Sequence, residues 1–94
     1  PVYFYTMCGQ MKIMIDRCCA RYTEITNKEF YFIATAAEED PAIMDRMVDS
    51  FRGFLDCLEN PVIKGTVFCG GVWHTGEIYG KPAMTEAYET GKRI

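Results

Sequence analysis

The sequence is poor in three features on which many protein functions depend, namely histidine, long apolar runs and clustered positive charge. Its one histidine, His74, has no neighbouring ligand residue, so we expect no metal site. No apolar run approaches the roughly 20 residues of a membrane-spanning helix, so we expect no membrane partner. The net charge is -3 and the Lys and Arg residues are scattered, which argues against nucleic-acid binding because phosphate neutralisation needs a clustered basic surface.

Cysteine is comparatively abundant, but its spacing matches neither a disulfide framework nor a zinc motif. The five cysteines are Cys8, Cys18, Cys19, Cys57 and Cys69. The apolar patterns predict that four of the five are buried. We therefore expect reduced core thiols in a cytoplasmic protein.

The chain opens with an apolar, aromatic-rich segment, Pro1 to Met7, that runs into a helical pattern. Thr6 is the predicted N-cap, and the helix is predicted to end near Ala20 to Tyr22. The apolar face of this helix comprises Met7, Met11, Met14, Ile15 and Cys18. A strand end that leads into a helix N-terminus places flat aromatic rings beside backbone N–H groups, an arrangement that suits a planar ligand.

The rest of the chain alternates strands with helices. Residues 29–36 form a nearly unbroken apolar run, which predicts a strand buried on both faces. Asp40 and Pro41 predict the N-cap and first residue of a second helix that ends at residue 60. The apolar stripe of this helix comprises Met44, Met47, Phe51, Phe54, Leu55 and Leu58. A further strand is predicted at residues 62–69, and a last helix begins near Lys81.

This alternation predicts a parallel sheet, and open parallel sheets bind ligands beyond the carboxyl ends of their strands. Three loops are predicted there: Phe4 to Cys8, Thr35 to Asp40 and Gly70 to Gly80. We therefore predict a small-molecule site where these loops meet. The alternative interpretation is structural, with the opening aromatics as core and rim residues and with Trp73 and His74 on a plain surface loop.

Three segments carry a family resemblance. They are Pro-Val-Tyr-x-x-x-Met-x-Gly-Gln-Met-Lys-x-x-x-Asp-Arg (Pro1 to Arg17), Phe-Ile-Ala-Thr-Ala (Phe32 to Ala36) and Gly-Glu-Ile-x-Gly-x-Pro-Ala-Met-x-x-Ala-Tyr-x-x-Gly-Lys (Gly76 to Lys92). Together they resemble the second half of a flavodoxin-like NAD(P)H-dependent FMN reductase. The resemblance covers essentially the whole chain, but only half of the family's domain.

The resemblance implies an α/β fold, a flavodoxin-like doubly wound parallel sheet with strand order 2-1-3-4-5, represented here from the end of strand 3 to helix 5. Residues 1–94 would form the C-terminal half of that single domain. The implied cofactor is FMN, with NAD(P)H as co-substrate. The implied ring contacts are Pro1, Val2, Tyr3, Phe4, Tyr5, Thr6 and Met7 against the ring face and its N5 and O4 edge, and Thr35 and Ala36 near the pyrimidine side.

The activity implied by the resemblance is hydride transfer from NAD(P)H to flavin and onward to a small acceptor such as a quinone or free flavin. The hydride step needs no acid or base from the protein, so we assign no catalytic residue. The alternative function is a non-catalytic flavodoxin-fold electron carrier, or an interaction module that pairs through an open sheet edge.

The chain begins with Pro1 rather than Met, so we expect a processed, truncated or excerpted polypeptide. By the resemblance, the phosphate-binding loop would lie upstream of Pro1. The strand at residues 30–36 would then present an unpaired apolar edge. We expect a missing N-terminal half or a second copy of the chain to cover that edge, and hence a homo-oligomer.

Overall fold

The computed structural model describes all of residues 1–94 and contains four β-strands and three α-helices. In chain order they are β1 (Val2–Tyr3), β2 (Thr6–Met7), α1 (Gly9–Arg17), β3 (Glu29–Thr35), α2 (Ala42–Leu55), β4 (Val62–Cys69) and α3 (Pro82–Lys92). Two 3₁₀ turns, Cys18–Ala20 and Tyr22–Glu24, lie between α1 and β3. None of the helices combines the length and the apolar character needed to cross a bilayer.

A β3–α2–β4 unit forms the centre of the molecule. The two strands pair in parallel from Glu29↔Val62 to Thr35↔Cys69, with one irregularity after Phe30. The parallel pairing and the bounds of β4 confirm the sequence prediction, while β3 ends one residue earlier than the predicted residue 36. The other sheet is antiparallel and contains only β1 and β2. The chain is therefore a mixed α/β domain with one small parallel and one small antiparallel sheet.

The start of α2 is set by the predicted Asp-Pro pair. The Ala42 N–H donates to Asp40 Oδ1 at 2.9 Å, so the Asp40 carboxylate satisfies one of the free amides of the first turn. Pro41 already has helical angles, with φ of -59° and ψ of -21°. The helix ends at Leu55, earlier than predicted, and a turn follows before β4.

The main core lies between α2 and one face of the parallel sheet. Phe32 of β3 stacks on Phe51 of α2, with ring centroids 4.7 Å apart and 27° between the ring planes. The predicted stripe of α2 is buried at Met44, Met47, Phe51, Leu55 and Leu58, and Phe54 is half-buried. Each such side chain contributes about 1.5–3 kcal/mol by leaving water. This contact holds α2 against the sheet.

The opposite face of the sheet is only partly covered. A small cluster of Val67, Cys69 and Ala83 holds α3 on β4. Ile33 pairs with Val67 across the sheet and shares its face, but it is 67% exposed. The prediction that β3 is buried on both faces is therefore wrong, because α3 covers β4 and does not reach Ile33. On its other side β3 has no strand partner, as the sequence led us to expect.

The opening segment forms a hairpin. Val2 pairs with Met7 and Tyr3 with Thr6, and the chain reverses at Phe4 and Tyr5, whose φ values are 49° and 65°. The prediction that Pro1 and Val2 end a strand of the parallel sheet is wrong, since β1 pairs only with β2. Thr6 belongs to β2 and α1 begins at Gly9, so Thr6 as the N-cap is also wrong.

The cysteines are free thiols with unequal exposure. Only Cys69 is buried, while Cys8 and Cys18 are half-buried and Cys19 and Cys57 are exposed. The prediction of four buried cysteines is wrong. The apolar face of α1 is not covered by other elements, and Cys57 lies in the exposed turn after α2.

Candidate functional site

A cleft of about 530 Å³ opens at the carboxyl ends of β3 and β4. It is formed by the first residues of the chain, by the end of β3 and by the loop between β4 and α3. Its lining residues are Pro1, Val2, Tyr3, Thr35, Ala36, Ala37, Val72, Trp73, His74, Thr75, Gly76 and Ile78. The volume falls within the range of about 300–1,000 Å³ that is usual for small-molecule sites.

Backbone hydrogen bonds extend the strand pairing into the base of the cleft. The Ala36 N–H donates to the Cys69 carbonyl and the Val72 N–H donates to the Ala36 carbonyl, both at 3.0 Å. Gly70 permits this close approach, because a Cβ at that position would lie 2.6 Å from the Glu38 carbonyl oxygen. The two loops are therefore held together where they leave the sheet.

Two charged side chains brace the β4–α3 loop. Glu77 Oε2 accepts hydrogen bonds from the N–H groups of Trp73 at 2.6 Å and His74 at 2.8 Å. Lys81 Nζ donates to the carbonyls of Gly70 at 3.3 Å and Gly71 at 3.0 Å. The hydrogen bonds from His74 and then from Trp73 lower the pKa of the Glu77 carboxyl, so it is ionised at neutral pH.

Five of the nine residues that the sequence assigns to ring binding line this cleft. They are Pro1, Val2, Tyr3, Thr35 and Ala36. Two segments that are far apart in the sequence thus meet at one opening. Two of the three predicted loops, those after β3 and β4, also meet there, whereas Pro1 to Tyr3 stand in place of the predicted Phe4 to Cys8 loop.

The other four predicted residues lie outside the cleft. Phe4, at the tip of the hairpin, is 99% exposed, and Thr6 is exposed in β2. The Arg46 guanidinium carbon lies over the Tyr5 ring, 4.6 Å from the ring centroid, beside the start of α2. Met7 packs against the main core. Thr6 and Met7 are the strand partners of Tyr3 and Val2 in the hairpin, but only Pro1 and the first strand line the cleft.

Trp73 is the largest side chain of the cleft. The sequence left two interpretations open for it, a plain surface loop and a ring that stacks on a ligand. It is 77% exposed, and Tyr3, the other large aromatic of the lining, is 59% exposed. The sequence signal is its position, because the one tryptophan of the chain lies just beyond the carboxyl end of β4. Together, Tyr3 and Trp73 give the cleft two flat apolar surfaces.

Outside the strands, four backbone amides of the cleft have no hydrogen-bond acceptor within the chain. They belong to Ala37, Thr75, Gly76 and Ile78. A ring with carbonyl and imine acceptors could bind to such donors. No Lys or Arg side chain lines the cleft to pair with a phosphate. The residues therefore fit the ring end of a flavin and not its phosphate.

A second, apolar cavity of about 270 Å³ lies along the unpaired side of β3, between this strand, α1 and α2. All but one of its lining residues are hydrophobic, and they include Met11, Met14, Phe32 and Phe54. No charged side chain lines it. No group of three or more His, Cys, Asp or Glu side chains in the chain is placed to hold a metal ion.

Comparison with known proteins gives no relative. No protein-family model, no curated protein and no solved structure matches this chain significantly. The site must therefore be interpreted from its own residues.

Proposed function

We propose that this chain supplies the ring side of an FMN site in a flavodoxin-like, NAD(P)H-dependent FMN reductase. The observation that supports the proposal most is the meeting of Pro1 to Tyr3 with Thr35 and Ala36 in one cleft at the carboxyl ends of parallel strands. This is the edge of an open α/β sheet at which ligands bind.

The residues of the cleft would bind and orient the ring. Tyr3 and Trp73 offer flat surfaces for stacking, while Val72 and Ile78 exclude water. The free amides of Ala37, Thr75 and Gly76 would donate to the polar edge of the ring and stabilise negative charge there. Bound FMN would supply the redox chemistry, as it accepts a hydride from NAD(P)H and passes electrons to a small acceptor such as a quinone or free flavin.

Titration of the chain with riboflavin and with FMN tests the proposal. Because no Lys or Arg side chain lines the cleft, we expect both flavins to bind with affinities within about tenfold of each other, or about 1.4 kcal/mol. Binding is measured by the quenching of flavin fluorescence. Anaerobic addition of NADPH or NADH should then bleach the flavin absorbance, measured by stopped flow.

Aromatic variants provide the matched control. Tyr3→Ala should weaken flavin binding by about twofold to tenfold, the equivalent of roughly 0.5–1.5 kcal/mol of lost ring contact. Tyr88→Ala, which removes an exposed tyrosine of α3 outside the cleft, should leave binding unchanged. If neither flavin binds, or if both variants behave alike, the cleft is not a flavin site.

A second function is supported by a separate observation, the unpaired side of β3. The free strand edge, the apolar cavity beside it and an α1 with no buried residue suit a module that associates with another protein. A non-catalytic carrier or interaction module of this kind would show no reduction by NADPH or NADH. The stopped-flow measurement therefore separates the two functions.

A further inference from the structure

The β4–α3 loop is rich in glycine, yet hydrogen bonds with two side chains restrain its backbone. Gly71, Gly76 and Gly80 all have positive φ values, of 66°, 91° and 77°. A chain with three such glycines has high conformational entropy when unconstrained. The loop is nevertheless tied at its start by Lys81, which donates to Gly70 and Gly71, and at its middle by Glu77.

The Glu77 carboxylate acts on the residue that forms one wall of the cleft. One oxygen, Oε2, accepts the N–H groups of both Trp73 and His74. Two hydrogen bonds to adjacent amides fix the backbone at Trp73, and so they fix the direction in which its Cα–Cβ bond leaves the chain. Only the two side-chain torsions of the indole remain to be ordered when a ligand stacks on it.

We propose that Glu77 is a positioning residue that preorganises the backbone of Trp73, so that its ring is held at the cleft as a stacking surface for flat aromatic ligands. This inference rests on the proposed flavin site and names the part of it that holds the ring face. Glu77 itself does not line the cleft and acts through Trp73. Preorganisation of a contact residue increases affinity because less entropy is lost on binding.

Because the Glu77 carboxylate is ionised, the positioning of Trp73 should depend on pH. The groups that face the carboxylate are His74 and Lys81, and Glu39 lies near Lys81 at the start of the loop. The hydrogen bonds from His74 and Trp73 lower the pKa of Glu77 below its ordinary value of 4.5. The bracing is therefore at full strength while Glu77 is ionised, and it weakens as the pH falls through the lowered pKa.

The test uses the intrinsic fluorescence of Trp73, which is the one tryptophan of the chain. Glu77→Ala should lower the fluorescence anisotropy of the ligand-free protein and weaken riboflavin binding by about twofold to tenfold, as expected when one side chain must be ordered on binding. Glu77→Gln keeps a neutral acceptor oxygen but loses the charge, as protonation does, so it should recover only part of both effects. Glu86→Ala removes an exposed glutamate of α3 and serves as the control.

A pH series on the unmodified chain gives an independent readout that does not depend on a variant folding. The anisotropy of Trp73 should be constant at and above pH 4.5 and should fall only as the pH passes through the lowered pKa of Glu77, while Glu77→Gln should show no such step. If riboflavin binds the unmodified chain and Glu77→Ala binds it equally well, the inference is overturned and the proposed function stands. If riboflavin does not bind the unmodified chain, the proposed function itself fails.

Discussion

The two helices that flank the unpaired side of β3, α1 and α2, have similar apolar patterns but very different burial. Ile43, Met44, Met47, Val48, Phe51 and Leu55 of α2 are buried, whereas no residue of α1 is buried. The difference lies in the neighbours, because α2 packs on the sheet and α1 lies across the apolar cavity from it. An amphipathic pattern thus indicates which face of a helix can be buried, and tertiary packing determines whether it is.

The largest expected effect contrasts one apolar residue from each helix. Phe51→Ala removes the ring that stacks on Phe32 and should lower the free energy of unfolding by about 3–5 kcal/mol. Met14→Ala removes a side chain that is 52% exposed. It should change the free energy of unfolding by no more than about 0.5 kcal/mol. Urea unfolding followed by circular dichroism measures both.

A different result would identify what covers α1. If Met14→Ala costs about 2 kcal/mol or more, the exposed face of α1 is buried in solution by another chain, since such a loss requires a core-like environment. The loss should then grow with protein concentration, because association contributes to stability by mass action. A small, concentration-independent change would leave α1 as an uncovered helix.

A second, smaller effect contrasts the starts of the two helices. Asp40 accepts the Ala42 N–H at the start of α2, whereas Cys8, before α1, makes no capping hydrogen bond with its side chain. Asp40→Ala should therefore destabilise the chain by about 1 kcal/mol. Cys8→Ser, in which a hydroxyl replaces the thiol, should stabilise it by about 0.5 kcal/mol, and the same unfolding assay measures both changes.

The capping contrast depends on the hydroxyl and not on the loss of the thiol. Cys8→Ala is the matched variant, and it should show no gain because alanine cannot accept the free amides of the first turn. If Cys8→Ala and Cys8→Ser behave alike, the change reflects the half-buried thiol and its packing beside the apolar cavity.

The sequence predicted the β3–α2–β4 unit because its signals are local. An unbroken apolar run, an Asp-Pro helix start and a helical stripe each lie within about ten residues. The opening hairpin carried no such signal, since two-residue hairpin turns usually contain Asn or Gly at their positive φ positions and here Phe4 and Tyr5 occupy them. A bulky residue in that region is uncommon, so no local rule predicts it.

The candidate site was predictable only in part for a related reason. Thr35 and Ala36 follow from the rule that ligands bind beyond the carboxyl ends of parallel strands. Glu77 accepts hydrogen bonds from the backbone N–H groups of Trp73 and His74, and hydrophobic periodicity does not reveal such contacts. The separation of Tyr3 from Tyr5 depends on the hairpin, and it was missed together with the hairpin.

The smallest expected effect on stability concerns the open face of β3. Ile33→Lys places a charge on a residue that is 67% exposed and should change the free energy of unfolding by no more than about 0.5 kcal/mol. Tyr88→Lys is the matched control, since Tyr88 is also 67% exposed but lies on α3. Analytical ultracentrifugation over a range of concentrations measures the effect of each variant on association.

Association through β3 and association elsewhere give different patterns in this experiment. If two copies pair along the free edge of β3, Ile33→Lys brings like charges together and desolvates them, so the dimer should weaken while the monomer keeps its stability. Tyr88→Lys should then associate as the unmodified chain does. Equal association of both variants would place the interface away from β3, and an unmodified chain that is monomeric at every concentration would show that the predicted homo-oligomer is wrong.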